Sequence, residues 1–211
     1  KGYVETLQDG AYDSAEQKTK FLNIIKKHTQ RLIDIVSDLL VLSEIEVMES
    51  QEVSPDTEQY DIISINSVLL SCYDSLRSKI QTKNLVIEKE LHDNLPDIKG
   101  NQFLLEQAFI NLLYNAIKYT PENGTIGFKT RPNEDTVEIE IFDTGIGIPK
   151  ESIPRIFERF YRVDKDRSRQ EGGTGLGLSI VKHTINIHGG EIKVESEMSQ
   201  GTKFIINLLV S

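Results

Sequence analysis

The stretch Gly172-Gly173-Thr174-Gly175-Leu176-Gly177-Leu178 decides how the rest of the chain is read. Glycines at every second position, Gly173, Gly175 and Gly177, permit positive φ and leave backbone N–H groups uncovered, which is what wrapping an anion requires. Downstream, Leu178, Val181 and Ile185 recur at helical spacing and Gly189-Gly190 supplies a stop. The glycines therefore stand at a helix N-terminus that favours negative charge. The loop reads as a phosphate cradle, with a tight structural turn as the competing reading. A dinucleotide fingerprint is excluded, because the residues before the loop, Arg162 to Glu171, form a charged, non-periodic run rather than a strand. A Walker loop is excluded as well, because Gly177 is followed by Leu178-Ser179 with no lysine.

Composition restricts the ligand and the setting. The chain has 211 residues, 38% hydrophobic and 27% charged, as in ordinary globular proteins. No apolar run approaches the ~18 residues of a membrane-crossing helix. Cys72 is alone, so no internal disulfide can form, which fits a reducing compartment. A formal net charge of −9 argues against nucleic acid as a partner. Any anion must be bound locally. The chain also starts at Lys1, inside what reads as a helix, and is expected to be a piece of something longer.

Upstream of the loop the periodicity changes several times. Ala15 to about Glu46 reads as one long helix whose residues Phe21, Ile25, His28, Leu32, Ile35, Leu39 and Leu42 form a heptad seam. A second row, Leu22, Ile33, Val36 and Leu40, widens the stripe to that of a bundle member. His28 lies on the seam between Lys27 and Thr29, without an adjacent acid, and reads as a packing histidine. Residues 49–58, with Pro55, read as a linker between a helical segment, 1–48, and a globular unit, 59–211. That unit reads as a strand at Tyr60–Ile63, a helix to Lys83, a strand Leu85–Leu91, an extended piece Pro96–Lys99 and a helix Asn101–Tyr119. A hairpin follows, Thr125–Thr130 with Thr136–Phe142, then a mostly irregular stretch 144–171 with a turn of helix at Ile153–Phe160. The loop helix and the strands Glu191–Glu197 and Thr202–Leu209 close the chain. The expected class is α+β: a two-layer sandwich of helices on one face of a mixed, largely antiparallel sheet, preceded by a partial helical hairpin.

Chemistry-bearing residues recur around these elements. Asn111 and Asn115 share a face of an otherwise apolar helix, which is costly unless they meet a ligand or metal. Lys118-Tyr119 end that helix. Asp143-Thr144-Gly145-Ile146-Gly147 presents an acid on a glycine-containing turn. Phe157, Phe160 and Arg162 lead into the glycine loop. Arg155, Arg159, Arg162, Lys165, Arg167 and Arg169 add positive charge beside it.

Together, Asn111–Thr120, Asp143–Pro149, Phe157–Asp164 and Gly172–Leu178 closely resemble the ATP-binding domain of sensor histidine kinases, in the gyrase–Hsp90–histidine kinase–MutL superfamily. The membrane-bound phosphate-sensing type is the nearest subgroup. The resemblance implies ATP and Mg²⁺ as ligands and assigns roles residue by residue. Asn115 would bind Mg²⁺ through its side-chain carbonyl, Asn111 would support the metal shell or phosphates, and Lys118 and Arg162 would contact phosphate. Tyr119 would pack near the adenine, and Asp143 would accept from its amino group. Gly145 and Gly147 would let the backbone close over the base. Thr174, Gly175, Leu176 and Gly177 would cradle the phosphates, and Thr202 would reinforce the adenine end. Phe157 and Phe160 would anchor the lid. The intact protein would be a homodimeric, membrane-anchored sensor with this domain in the cytoplasm, passing phosphate from a histidine to a response-regulator aspartate. The family's acceptor histidine precedes the segment that Lys1–Leu7 matches. Its hydrolysing relatives carry a glutamate where Asn111 stands, so poor hydrolysis is expected. An ATP-gated hydrolase, a nucleotide-sensing scaffold and an anti-sigma-type serine kinase are the rival readings.

Overall fold

A computed structural model describes residues 4–5, 14–50, 60–163 and 173–210. Residues 51–58 of the expected linker 49–58, the cations Lys165, Arg167 and Arg169, and Gly172 lie outside the described residues, while residues 49–50 belong to the first long helix. Helix α1 (Ala15–Ser50) is followed by β1 (Asp61–Ile63), α2 (Ile65–Thr82), β2 (Val86–Glu90), β3 (Ile98–Gly100), α3 (Gln102–Tyr119), β4 (Thr125–Asn133) and β5 (Thr136–Asp143). A 3₁₀ turn (Ile153–Arg155), α4 (Gly177–Ile187), β6 (Glu191–Glu197) and β7 (Gly201–Leu209) complete the order. Among the described residues no helix is long and apolar enough to cross a membrane.

Five strands form one sheet in the order β2-β4-β5-β7-β6; β2 runs parallel to β4 and the other pairs are antiparallel. β1 and β3 pair separately. Alternation along β5 and β7 sends Val137, Ile139, Ile141, Phe204, Ile206 and Leu208 to one face, where they share a core with Leu69 of α2, Phe109 of α3 and Val181 of α4. The opposite face is charged: Lys203 pairs with Glu195 at 2.6 Å and Lys129 with Glu90 at 2.7 Å. The α+β class, the mixed sheet and the single helical face agree with expectation.

Several boundaries differ for physical reasons. β4 and β5 run on to Asn133 and Asp143, because Pro132 is tolerated where β4 has passed the end of β2 and is no longer flanked on both sides. Among the described residues the helical turn expected at Ile153–Phe160 is a 3₁₀ turn over Ile153–Arg155, with Pro154 inside it. α3 starts where Asn101 Oδ1 accepts the Leu104 N–H at 3.1 Å. α1 continues to Ser50, and only its C-terminal part is covered: Leu42 and Ile45 pack on Leu104, Leu176 and Ile180. Of the expected seam, Leu32 and Leu39 stay 64% and 44% exposed, and His28 is exposed as well. His28 is therefore not a packing residue within one chain, since it lies two heptads before Leu42, N-terminal to the part of α1 that the α+β unit covers.

Candidate nucleotide site

Two clusters of the singled-out residues meet along α3, one at its C-terminal end and one around the glycine loop. At its C-terminal end, Asp143 finishes β5 in register with Ile126 on β4 and Thr202 on β7. Asp143 Oδ1 accepts the Gly145 N–H at 2.7 Å, and the Thr202 backbone bonds the same carboxylate. Burial pushes the Asp143 carboxyl up to about 6 against the pull of those two bonds. Such a carboxylate is short of solvent and suited to a donor on a ligand. The turn after it lies close against α3: the Ile146 N–H donates to Tyr119 O at 3.3 Å. A Cβ on Gly145 would stand 2.5 Å from that same carbonyl and 2.6 Å from Asp143 Oδ1, so no larger residue fits. Gly147 has φ 72°.

Thr202 is buried and held by a residue that sequence reading missed. Ser196 Oγ donates to Gly201 O at 2.8 Å and accepts the Ile148 N–H at 2.8 Å, so the Thr202 hydroxyl, 2.9 Å away, is its second donor. Ser196 thereby ties the Gly145–Ile148 turn to the β6–β7 end. Thr144 Oγ1, accepting the Thr125 N–H at 2.9 Å, fixes the other side. Neither serine nor threonine carries a local pattern that would reveal this, because both bonds span distant strands.

The second cluster surrounds the glycine loop. Gly177 opens α4 without positive φ, contrary to expectation; it lies close against Asn111, whose amide would have to move for a Cβ that would stand 2.8 Å from Oδ1. Gly173 and Gly175 do take positive φ, 121° and 78°. The Phe160 N–H donates to Gly175 O at 2.8 Å, bracing the loop through its backbone. The Phe160 ring is 59% exposed with φ 61°, so it anchors nothing in the core; Phe157 does, edge-on to Phe204 at 6.4 Å. A Cβ on Gly173 would sit 3.2 Å from Lys118 Nζ and 3.9 Å from an Arg162 guanidinium nitrogen. Lys118 Nζ also lies 5.1 Å from the Tyr119 ring centroid, linking the two clusters. Asn115 is half-buried one turn from Asn111, and neither amide hydrogen-bonds to the protein among the described residues.

Two described arginines of the wider basic run are taken up in ion pairs. Arg155 pairs with Glu158 at 3.0 Å and Arg159 with Glu46 of α1, leaving Arg162 as the described lid arginine beside the loop. Thr174 Oγ1 accepts the Leu176 N–H at 3.1 Å and bonds to Asp38 of α1. That acid, too, was not singled out, since on sequence it is one more charge on a solvated helix.

Comparison with known proteins places this arrangement. Residues 100–211 match the family model described as histidine kinase-, DNA gyrase B-, and HSP90-like ATPase, and residues 1–47 match that of the His Kinase A (phospho-acceptor) domain. The sensor histidine kinase WalK of Bacillus subtilis (strain 168) is 34% identical over 99% of this chain and 33% of its own length. The chain spans about a third of the length of the curated relatives it matches. Among solved structures, the nucleotide-free catalytic domain of the histidine kinase ThkA aligns with 71% of this chain and 97% of its own, at TM-score 0.63 and 29% identity. ThkA in complex with the response regulator protein TrrA aligns with 100% of this chain and 56% of its own, at TM-score 0.75 and 25% identity. With one model matching residues 100–211 and another residues 1–47, the chain belongs to the sensor histidine kinases, within the histidine kinase-, DNA gyrase B- and HSP90-like ATPase family.

Proposed function

We propose that residues 59–211 are the catalytic unit of a two-component kinase, binding ATP with Mg²⁺ and giving the γ-phosphoryl group to a histidine outside this chain. The observation that carries the reading is the convergence of Asn111, Lys118 and Arg162 on the glycine loop, with Asp143 and Tyr119 beside it at the C-terminal end of α3. An adenine at the Asp143 end would donate its amino group to the carboxylate, pack near Tyr119 and lie against Gly145 and Gly147, with Thr202 behind Asp143. Its phosphates would then reach Thr174, Gly175, Leu176 and Gly177, where Lys118 and Arg162 supply charge.

Asn115 offers a hard carbonyl oxygen to Mg²⁺, with Asn111 one turn away. Phosphate oxygens of the nucleotide would complete the shell of such an ion. Bound there, Mg²⁺ would neutralise phosphate charge. Asn111 cannot take a proton from water, which favours transfer over hydrolysis. Residues 1–48 would serve as the C-terminal part of a dimerisation hairpin: Leu32, Ile33, Val36 and Leu40 are all more than half exposed on α1 and form the apolar stripe that a second copy would cover. The intact protein would be a membrane sensor that hands its phosphate to a response-regulator receiver domain.

Phosphoryl transfer depends on positioning, so a complete ATP site gives no product without an acceptor held in line. This chain should bind ATP without labelling itself. A longer chain, extended upstream of Lys1, should acquire acid-labile, alkali-stable phosphate from γ-labelled ATP and keep doing so as the His28→Gln variant. Label on the present chain that disappears in His28→Gln would make His28 the acceptor, and an extended chain that never labels would favour a nucleotide-sensing scaffold.

A further inference from the structure

The face that α1 turns to the catalytic unit is not its apolar stripe. Ile45 is fully buried on Leu104, Leu176 and Ile180, and Asp38, seven residues earlier, bonds to Thr174 of the glycine loop. Arg31 stands a further seven residues back, two turns or roughly 10 Å along the same face. It is half-buried, its Nε is enclosed without a hydrogen-bond partner, and among the described residues no carboxylate forms an ion pair with it. The acid one turn on, Asp34, is exposed and accepts from Gln30 Nε2 at 3.0 Å. Arg31 is instead near enough to another cation for its charge to act there: burial first, and then the charge of Arg31, hold the Arg162 guanidinium below its ordinary value. Arg162 and Lys118 in turn flank Gly173 at the mouth of the loop. A buried guanidinium nitrogen without an acceptor, set against a second guanidinium, is costly unless an anion joins them.

We infer that Arg31 is a further phosphate-binding residue, reaching from α1 to close the glycine loop with Lys118 and Arg162 around the terminal phosphate of a nucleoside triphosphate. The inference rests on the nucleotide reading above and adds to it a residue from outside the catalytic unit. Because coupling is reciprocal, the phosphate that Arg31 holds would also hold α1 against the loop, while a diphosphate would leave the two arginines unbridged.

Titration calorimetry of this chain with Mg²⁺ and either ADP or a non-hydrolysable ATP analogue tests it. One bond to a charged group is worth ~1.5–3 kcal/mol, so Arg31→Met and Arg31→Gln should each weaken the triphosphate roughly 10- to 150-fold. ADP affinity should stay within about twofold, and Arg31→Lys should recover part of the loss. Thermal unfolding of each variant identifies those that fold as the parent does, and either neutral variant suffices. Unchanged triphosphate affinity overturns the inference while leaving the nucleotide site standing, and so does an equal loss for ADP, which would make Arg31 a packing residue. If the parent chain binds neither nucleotide, the underlying reading fails and the inference with it.

Discussion

Asp143 is buried enough to protonate close to neutrality, and its two roles then pull in opposite directions with pH. Its folded value, about 6, lies above the ordinary 3.8, so the nucleotide-free chain holds this proton where the unfolded chain has lost it. Through this group, stability rises as pH falls from about 6 towards 3.8. Binding should follow the reverse course, because the charged acceptor that an adenine amino group needs is lost over the same interval. Calorimetric ATP affinity should therefore fall as pH drops through about 6, and that dependence should be absent in Asp143→Asn, whose affinity is already low. An identical pH profile in the variant would detach the titration from Asp143. This residue, like Asn111 and Asn115, was legible in the sequence because its chemistry is out of place there: an acid on a glycine turn, amides on an apolar helix. Arg31, Asp38 and Ser196 were not, since each looks ordinary among its neighbours and takes its role from a partner far away in the chain.

At the level of elements, α3 carries residues of both ends of the site, and its C-terminal carbonyls are fixed from outside. Lys83 Nζ, at the end of α2, donates to Ile117 O, Lys118 O and Thr120 O at 2.8, 2.9 and 2.8 Å. One ammonium thus caps the helix end with all three of its hydrogens and sets the backbone that aims Lys118 and Tyr119. Lys83→Met should cost about 2–3 kcal/mol in urea unfolding and weaken ATP binding, with Lys83→Arg restoring part of both. A variant as stable as the parent would show that water can replace the cap. Sequence periodicity located this helix to within a residue, because its core face repeats at 3.6 and Asn101 marks its start. It gave no sign of the Lys83 cap. The hairpin was drawn too short for a related reason: Pro132 reads as a turn residue until the length of the neighbouring strand is known.

For the whole molecule, the division into an N-terminal helix and an α+β unit was legible from the switch between heptad and mixed periodicities. Their packing was not. A seam of Phe21 to Leu42 predicts that α1 is covered along its length, whereas the catalytic unit covers only the face running through Asp38, Leu42 and Ile45. Two polar contacts extend this face, Glu46 with Arg159 and Glu49 with His183 at 2.8 Å. The apolar stripe left exposed on the same helix fits the bundle that the His Kinase A match implies. One helix thus turns one face to the catalytic unit and leaves an apolar stripe on another, which a single hydrophobic period cannot encode. All of this turns on the cleft between α3, the Asp143 turn and the glycine loop being an ATP site selected through Asp143. The most direct test is titration calorimetry of this chain at neutral pH with Mg²⁺, comparing ATP with GTP and the parent with Asp143→Asn. The account predicts that ATP binds, that GTP binds far more weakly, and that Asp143→Asn lowers ATP affinity roughly 10- to 150-fold. ATP affinity unchanged in Asp143→Asn, or GTP bound as tightly as ATP, would contradict it.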